Sequence, residues 1–226
     1  MNWLFNNLDL VLRLSLEHLQ LSIPPILIGF VVALPLGWLA HRFRVTRGIL
    51  LTVVGLLYTI PSLALLVALP TAIGLPIIVP TNVITCLSIY AVALMVRTTA
   101  DALDAVDPDV IQSATAVGYS AWGRFWRVEF PLAGPVMLAG LRVVTVSTVS
   151  LVTVGSLVGV PSLGNLFIDG LQRNIPLEIA TGIVMVVVIA LALDALLVLL
   201  GRFIMPWTRV VKASRNRAVE FEAATA

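Results

Sequence analysis

The sequence contains one cysteine, Cys86, among 226 residues. That excludes an internal disulfide and any multi-cysteine metal site; a lone thiol in an apolar run packs as a small hydrophobe. Charge is scarce as well, at 12% of residues, where a soluble domain carries roughly 25%. From Gly48 to Val96 there is no charged residue. No G-x-x-x-x-G-K-[ST] run occurs, so no ATP or Mg site of that kind is expected in this chain. Only two histidines exist, His18 and His41. Both stand at the edges of apolar runs, and Asp194 has no second carboxylate within such a run. This removes the buried pair that an intramembrane hydrolase requires. No repeat, low-complexity tract or nucleic-acid motif is evident. What remains is oil: 59% of residues are hydrophobic and the mean hydropathy is +1.05. An all-α integral membrane protein with no sizeable soluble domain is expected.

Spans are sought as roughly 20 apolar residues each. Five are read: Leu19–Ala40, Ile49–Leu69, Thr81–Val96, Leu132–Val158 and Ile179–Gly201. Pro24, Pro25 and Pro35 lie in the first and are tolerated in a membrane helix. Pro70, Gly74, Pro76 and Pro80 mark the turn between the second and third. The third is expected to run on as helix past Val96. Residues 1–18, with Asp9, Arg13 and Glu17, read as an extracytoplasmic segment whose order is wrong for a cleaved signal peptide. His18 reads as an interfacial hydrogen-bonding residue and His41 as part of a basic turn. Residues 19–203 form the membrane domain, and 204–226 read as a mobile cytoplasmic tail. Arg42, Arg44, Arg47, Arg97, Arg124, Arg127, Arg202, Arg209, Lys212, Arg215 and Arg217 then fall on one side. Arg13 and Arg173 fall on the other. Positive charge collects inside, so the C-terminus is cytoplasmic and the N-terminus outside.

The longest polar interruption is Asp101–Pro131, on the cytoplasmic side. Asp107 is a good N-cap, Pro108 suits the first helical position, and Asp109 favours the first turn. Val110, Ala114 and Val117 make one apolar stripe. Gly118 stops the helix in a left-handed conformation. Ser120 caps a second helix carrying Trp122, Phe125 and Trp126, and Pro131 closes it. A helix-Gly-helix elbow between spans is too short for a domain and reads as a docking surface.

This elbow resembles the coupling loop of ABC importer permeases, whose pattern is Glu-Ala-Ala, three residues, Gly, nine residues, Ile, any residue, Leu-Pro. Here Gln112-Ser113-Ala114, Gly118 and Val128-Glu129-Phe130-Pro131 hold those positions. Gln112, Ser113 and Phe130 depart from it, and the lost Glu charge removes any ion pair made there. Glu17-His18-Leu19, Tyr58-Thr59-Ile60-Pro61-Ser62-Leu63-Ala64, Leu138-Ala139-Gly140-Leu141-Arg142 and Leu163-Gly164-Asn165 resemble the osmoprotectant branch, which carries glycine betaine, carnitine, choline or proline betaine. Val160-Pro161-Ser162 replaces a glycine-rich run usual there. The resemblance implies the type I importer permease core in a prokaryotic inner membrane. Its implied partners are two ATPase subunits, a separate extracytoplasmic solute-binding protein and a second permease chain, the same or a homologue. A permease for amino acids or another small solute is the alternative. A passive channel would give the elbow no purpose.

From the resemblance, Gln112, Ser113, Ala114 and Gly118 are assigned to ATPase docking, with Trp122 and Arg124 as lesser members. Polar and aromatic groups within the spans are the translocation candidates: Tyr58, Ser62, Tyr90, Ser147, Thr148 and Thr153. An aromatic face attracts a quaternary ammonium, although Ser and Thr also pack between membrane helices without any substrate. Arg142 and Asp194 are the charges deepest in the spans. Counted from the cytoplasmic ends of their spans, they lie about 15 and 12 Å deep. An ion pair holding the fourth span to the fifth is expected, since intramembrane charges pair. The rival reading puts Arg142 in the path.

Overall fold

The structure, a computed structural model, describes residues 2–74 and 76–207. Among them run ten α-helices: α1 Asn2–Asn6, α2 Leu8–Arg42, α3 Arg44–Thr59, α4 Ser62–Ile73, α5 Pro80–Asp104, α6 Pro108–Ala116, α7 Ala121–Arg124, α8 Phe130–Gly155, α9 Gly164–Gln172 and α10 Pro176–Ile204. Four stretches are long and apolar enough to cross a membrane: Leu8–Arg42, Pro80–Asp104, Ala121–Val158 and Pro176–Ile204. A bent pair, Val45–Thr59 with Ser62–Ile73, makes up a fifth.

The helix that carries the first span begins at Leu8, eleven residues ahead of Leu19. Its charges Asp9, Arg13 and Glu17 recur every fourth residue and stay on one face. Val11, Leu14, His18 and Leu21 recur at three- and four-residue steps and are buried, so the amphipathic stripe carries the helix through the charged stretch. His18, expected to be a hydrogen-bonding residue, makes its bond inside the helix packing. It is fully buried, and its Nε2 lies 3.0 Å from the Val149 carbonyl oxygen of α8.

The second span is not one helix over Ile49–Leu69. It breaks between Thr59 and Ser62 with a bend of 105°. Pro61 has no N–H to give, and its ring drives Ile60 out of the helical region. Both residues are extended, with ψ of 129° and 134°. Pro70 lies inside α4; the chain turns at Gly74, whose φ is +73°, and Pro80 starts α5.

Pro131 does not close the elbow's second helix either. The chain continues from α7 through a π turn, Phe125–Glu129, directly into α8. The Phe130 N–H reaches back five residues to the Phe125 carbonyl. A wider turn just ahead of a proline makes room for its ring and absorbs the lost donor.

The middle of the domain is α2 against α5. Gly29, Ala33, Gly37 and Ala40 form a buried small-residue stripe on α2, the pattern that lets membrane helices approach closely. A Cβ on Gly29 would sit 2.6 Å from the Ala91 Cβ, and one on Gly37 would sit 2.5 Å from the Thr99 Cβ. α8 packs on the other side of α5, and α10 lies outermost with little of its surface buried. The elbow, the end of α2 and the end of α10 share one end of the molecule. His41 and Arg42 line a cleft with Ile111 and Glu129, and Pro131 and Gly134 line a groove with Met205 and Trp207. The tail from 208 onward, with Arg209, Lys212, Arg215 and Arg217, lies outside the described residues.

Candidate functional site

The elbow is built by local capping. The Asp107 carboxylate accepts from the Asp109 N–H at 2.9 Å, and Pro108 opens α6. At the other end the Gly118 N–H donates to the Thr115 carbonyl and the Tyr119 N–H to the Ala114 carbonyl, at 3.0 and 3.2 Å. This is the double closure that a left-handed residue permits, and Gly118 has φ +94°. Ser120 Oγ then accepts from the Gly123 N–H at 3.2 Å and starts α7.

The expected stripe Val110, Ala114, Val117 does not bury as one face. Ala114 is buried, while Val117 is 80% exposed. Gln112, Ser113 and Gly118 are exposed, and open space surrounds Gly118 where a side chain would grow. Trp122 is 66% exposed. Gly118 and Trp122 line a cleft of about 570 Å³ together with Tyr119, Trp126 and Arg127. The last three were not picked out in sequence as docking residues. Tyr119 and Arg127 follow the glycine turn without any periodic signal, and only the fold turns them toward one hollow. Behind it the rings of Trp122, Phe125, Trp126 and Phe130 form one cluster, with neighbouring centroids 5.0–6.4 Å apart; Trp126 meets Trp122 and Phe125 edge to face, and Trp122 stacks on Phe125. Trp38 of α2 meets Phe125 at 6.1 Å.

Arg124 faces inward. Its Nε donates to Glu129 at 2.6 Å and its Nη1 to Thr115 Oγ1 at 2.8 Å. Glu129 is 4% exposed, so this brace ties α6 to the π turn in a partly desolvated place. A second brace lies beside it. His41 Nδ1 is 2.5 Å from Asp104 Oδ1, and Arg47 donates to Asp104 and, at 3.1 Å, to Asp101. His41 is therefore more than a member of a basic turn: it helps fix the α2–α3 corner to the end of α5.

Among the translocation candidates, the fold brings Tyr58 and Tyr90 together at the broken span. Their rings meet at 5.8 Å with an interplanar angle of 88°. The Tyr90 hydroxyl donates to the Ile60 carbonyl at 2.6 Å, a group that Pro61 leaves without its helical donor. Ser62 is half-buried at the start of α4. Ser147, Thr148 and Thr153 lie along α8; Thr148 is buried, and the Thr153 hydroxyl donates to the Ser150 carbonyl at 2.6 Å. Arg142 and Asp194 meet across α8 and α10 in a two-pronged pair. Nε to Oδ1 is 2.6 Å and Nη2 to Oδ2 is 2.8 Å, the fork geometry that suits guanidinium and carboxylate.

Comparison with known proteins places this arrangement. Residues 26–210 match the family described as "Binding-protein-dependent transport system inner membrane component". The glycine betaine/carnitine/choline transport system permease protein OpuCB of Bacillus subtilis (strain 168) is 30% identical over 190 residues, covering 84% of this chain and 86% of that protein. The ergothioneine transport permease/ergothioneine binding protein EgtU of Helicobacter pylori (strain G27) is 35% identical over 168 residues, covering 73% of this chain and 30% of that longer protein. An inward-facing structure of the MetNI methionine ABC transporter aligns with a TM-score of 0.72 at 23% identity, covering 89% of this chain and 97% of that one. The MetNI likeness concerns the fold alone. The family match covers most of the chain, from within α2 through the elbow to the end of α10. The chain belongs to the inner membrane components of binding-protein-dependent transport systems.

Proposed function

We propose that this chain is the translocation subunit of an ATP-driven importer for quaternary-ammonium osmoprotectants such as glycine betaine, carnitine and choline. One observation carries the reading: permeases named for those solutes are about 30% identical to it over most of both chains. The elbow geometry supports the coupling part. A rigid, double-capped turn with an aromatic hollow, braced from behind by Arg124 and Glu129, suits a partner that pushes on it. Two ATPase subunits dock there, with Gln112, Ser113, Gly118 and Trp122 at the contact and Ala114 packing the turn from inside. A second permease chain completes the path, and a separate binding protein delivers solute from outside. The elbow end, where Arg42, Arg47 and Arg124 gather, faces the cytoplasm.

The relationship to EgtU bears on the solute. Ergothioneine carries a trimethylammonium and a carboxylate on one carbon, as glycine betaine does, and carnitine and choline carry the same cationic group, so the shared chemistry is the trimethylammonium head. The test is uptake by proteoliposomes containing the whole importer, with its ATPase and binding protein. Labelled glycine betaine or choline should accumulate only with internal ATP and should be displaced by carnitine. Uptake of neutral amino acids with no displacement by any trimethylammonium solute would defeat the reading and favour the amino-acid alternative.

A further inference from the structure

At the end of the molecule opposite the elbow, α2, α5 and the segment after the 3-10 turn Ser156–Val158 border a half-open cavity of about 360 Å³. Small-molecule sites run from ~300 to ~1,000 Å³. Leu21, Pro80, Ile84, Val160 and Pro161 form the apolar part of its wall, and Glu17 and Gln20 supply the polar part. Glu17 Oε2 is buried and has no hydrogen-bond partner. Glu17 also joins no ion pair among the described residues. Sealed from solvent, that oxygen touches nothing in the hollow, but the carboxylate leaves an uncompensated negative charge in its wall.

The walls narrow down which cation fits. An ammonium or guanidinium would bring several N–H groups, and beyond Glu17 only Gln20 offers a side-chain acceptor. The remaining N–H groups would face leucine, isoleucine, valine and proline side chains. A quaternary ammonium has no N–H to leave unpaired, and its methyl groups match those walls. Its diffuse charge needs only a nearby anion.

We propose that this cavity receives the trimethylammonium head of a solute at the mouth of the membrane domain, with Glu17 as its counter-ion. The assignment rests on the osmoprotectant reading for its biological ligand, but its chemistry is tested separately. The full-length permease is placed in phosphatidylglycerol nanodiscs and titrated with tetramethylammonium chloride, following saturation transfer to the methyl protons by NMR. Weak, saturable transfer is expected, with little competition from ammonium chloride. Glu17→Gln should weaken it by about fivefold or more, the loss of one partly exposed ion pair. Ile84→Trp, which fills the cavity and leaves the carboxylate in place, should abolish it. The second variant keeps the test alive should Glu17→Gln fail to fold. Unchanged titration in both variants, or ammonium competing as well as choline, would overturn the site. Loss of tetramethylammonium binding in phosphatidylcholine nanodiscs would hand the cavity to a lipid head group and overturn the solute assignment. An importer that carries glycine betaine while Glu17→Gln binds tetramethylammonium normally defeats the cavity alone. An importer that ignores every trimethylammonium solute defeats the function alone.

Discussion

The two ends of the membrane domain treat their charges in opposite ways. At the elbow end, three carboxylates are answered by cations: Asp101 and Asp104 by Arg47 and His41, Glu129 by Arg124. At the far end, Glu17 and Glu178 each keep a buried oxygen without a partner, and His18 keeps an unpartnered Nδ1. Glu178 is 1% exposed. Paired groups resist relative motion, which suits a surface that must transmit a push. Unpaired groups cost stability in an isolated chain, and they suit an end that is completed by something else. Between the two ends stands the Arg142–Asp194 pair, which ties the outermost helix to the rest at mid-depth.

The hardest way to break this contrast is to unpair the middle. Arg142→Leu and Asp194→Leu should each cause a sharp loss of yield and of melting temperature, because a lone charge is left at membrane depth. The double variant should recover much of both. Losses that simply add in the double variant would mean that the two groups do not stabilise each other. Normal stability with changed solute preference in Arg142→Leu would instead place that residue in the path.

A smaller effect is expected at the elbow brace. Arg124→Ala leaves the Glu129 carboxylate buried without a charge partner, a change worth about 1–3 kcal/mol. Melting of the purified protein should fall, and Arg124→Ala/Glu129→Gln should regain part of the loss. If Arg124→Ala melts like the parent, the brace is an ornament of the surface and the contrast between the ends weakens.

Gly118 sharpens the contrast with the least damage to the fold. Its φ of +94° makes a β-branched residue cost about 1–2 kcal/mol, and nothing packs against the position. Gly118→Val should therefore insert normally and melt only a few degrees below the parent. Within the whole importer it should lose transport and solute-stimulated ATP hydrolysis, since the docking turn changes shape. Undiminished transport by this variant would remove Gly118 from the contact.

Much of the elbow was legible because its determinants are local. Asp107, Pro108, Gly118 and Ser120 each act within about one helical turn, and a cap or a left-handed turn is dictated by residues a few positions away. The meeting of Arg142 and Asp194 was legible for another reason. Depth in a membrane is a single coordinate, and counting residues from the span ends gives it. The misreadings came from signals whose meaning depends on surroundings. Pro61 and Pro131 are the same residue in apolar stretches. One breaks its helix at 105°, and the other is carried through on a π turn. What differs is how the chain meets each proline: at Pro61 it bends away and the Ile60 carbonyl, deprived of a later helical N–H, takes the Tyr90 hydroxyl, while the turn before Pro131 widens and the helix goes on. The charges at Asp9, Arg13 and Glu17 suggested a boundary near Leu19, yet one helix face absorbs them all.

By itself the sequence determined that this chain lives in a bilayer, roughly where it crosses, which end is basic, and that an elbow of this shape separates two spans. Apolar run length, charge counts and capping residues are properties of short stretches, and the bilayer and the backbone read them locally. Only the tertiary structure decided that Arg124 faces inward, that Tyr119, Trp126 and Arg127 share a hollow with Trp122, that His18 is buried against Val149, and that Glu17 looks into a cavity walled by residues from three distant segments. These depend on which helix faces meet. In a chain so uniformly apolar, hydrophobic periodicity barely distinguishes one face from another. The meeting is set instead by close-packed small residues such as Gly29 and Gly37 and by the few polar groups that must find partners.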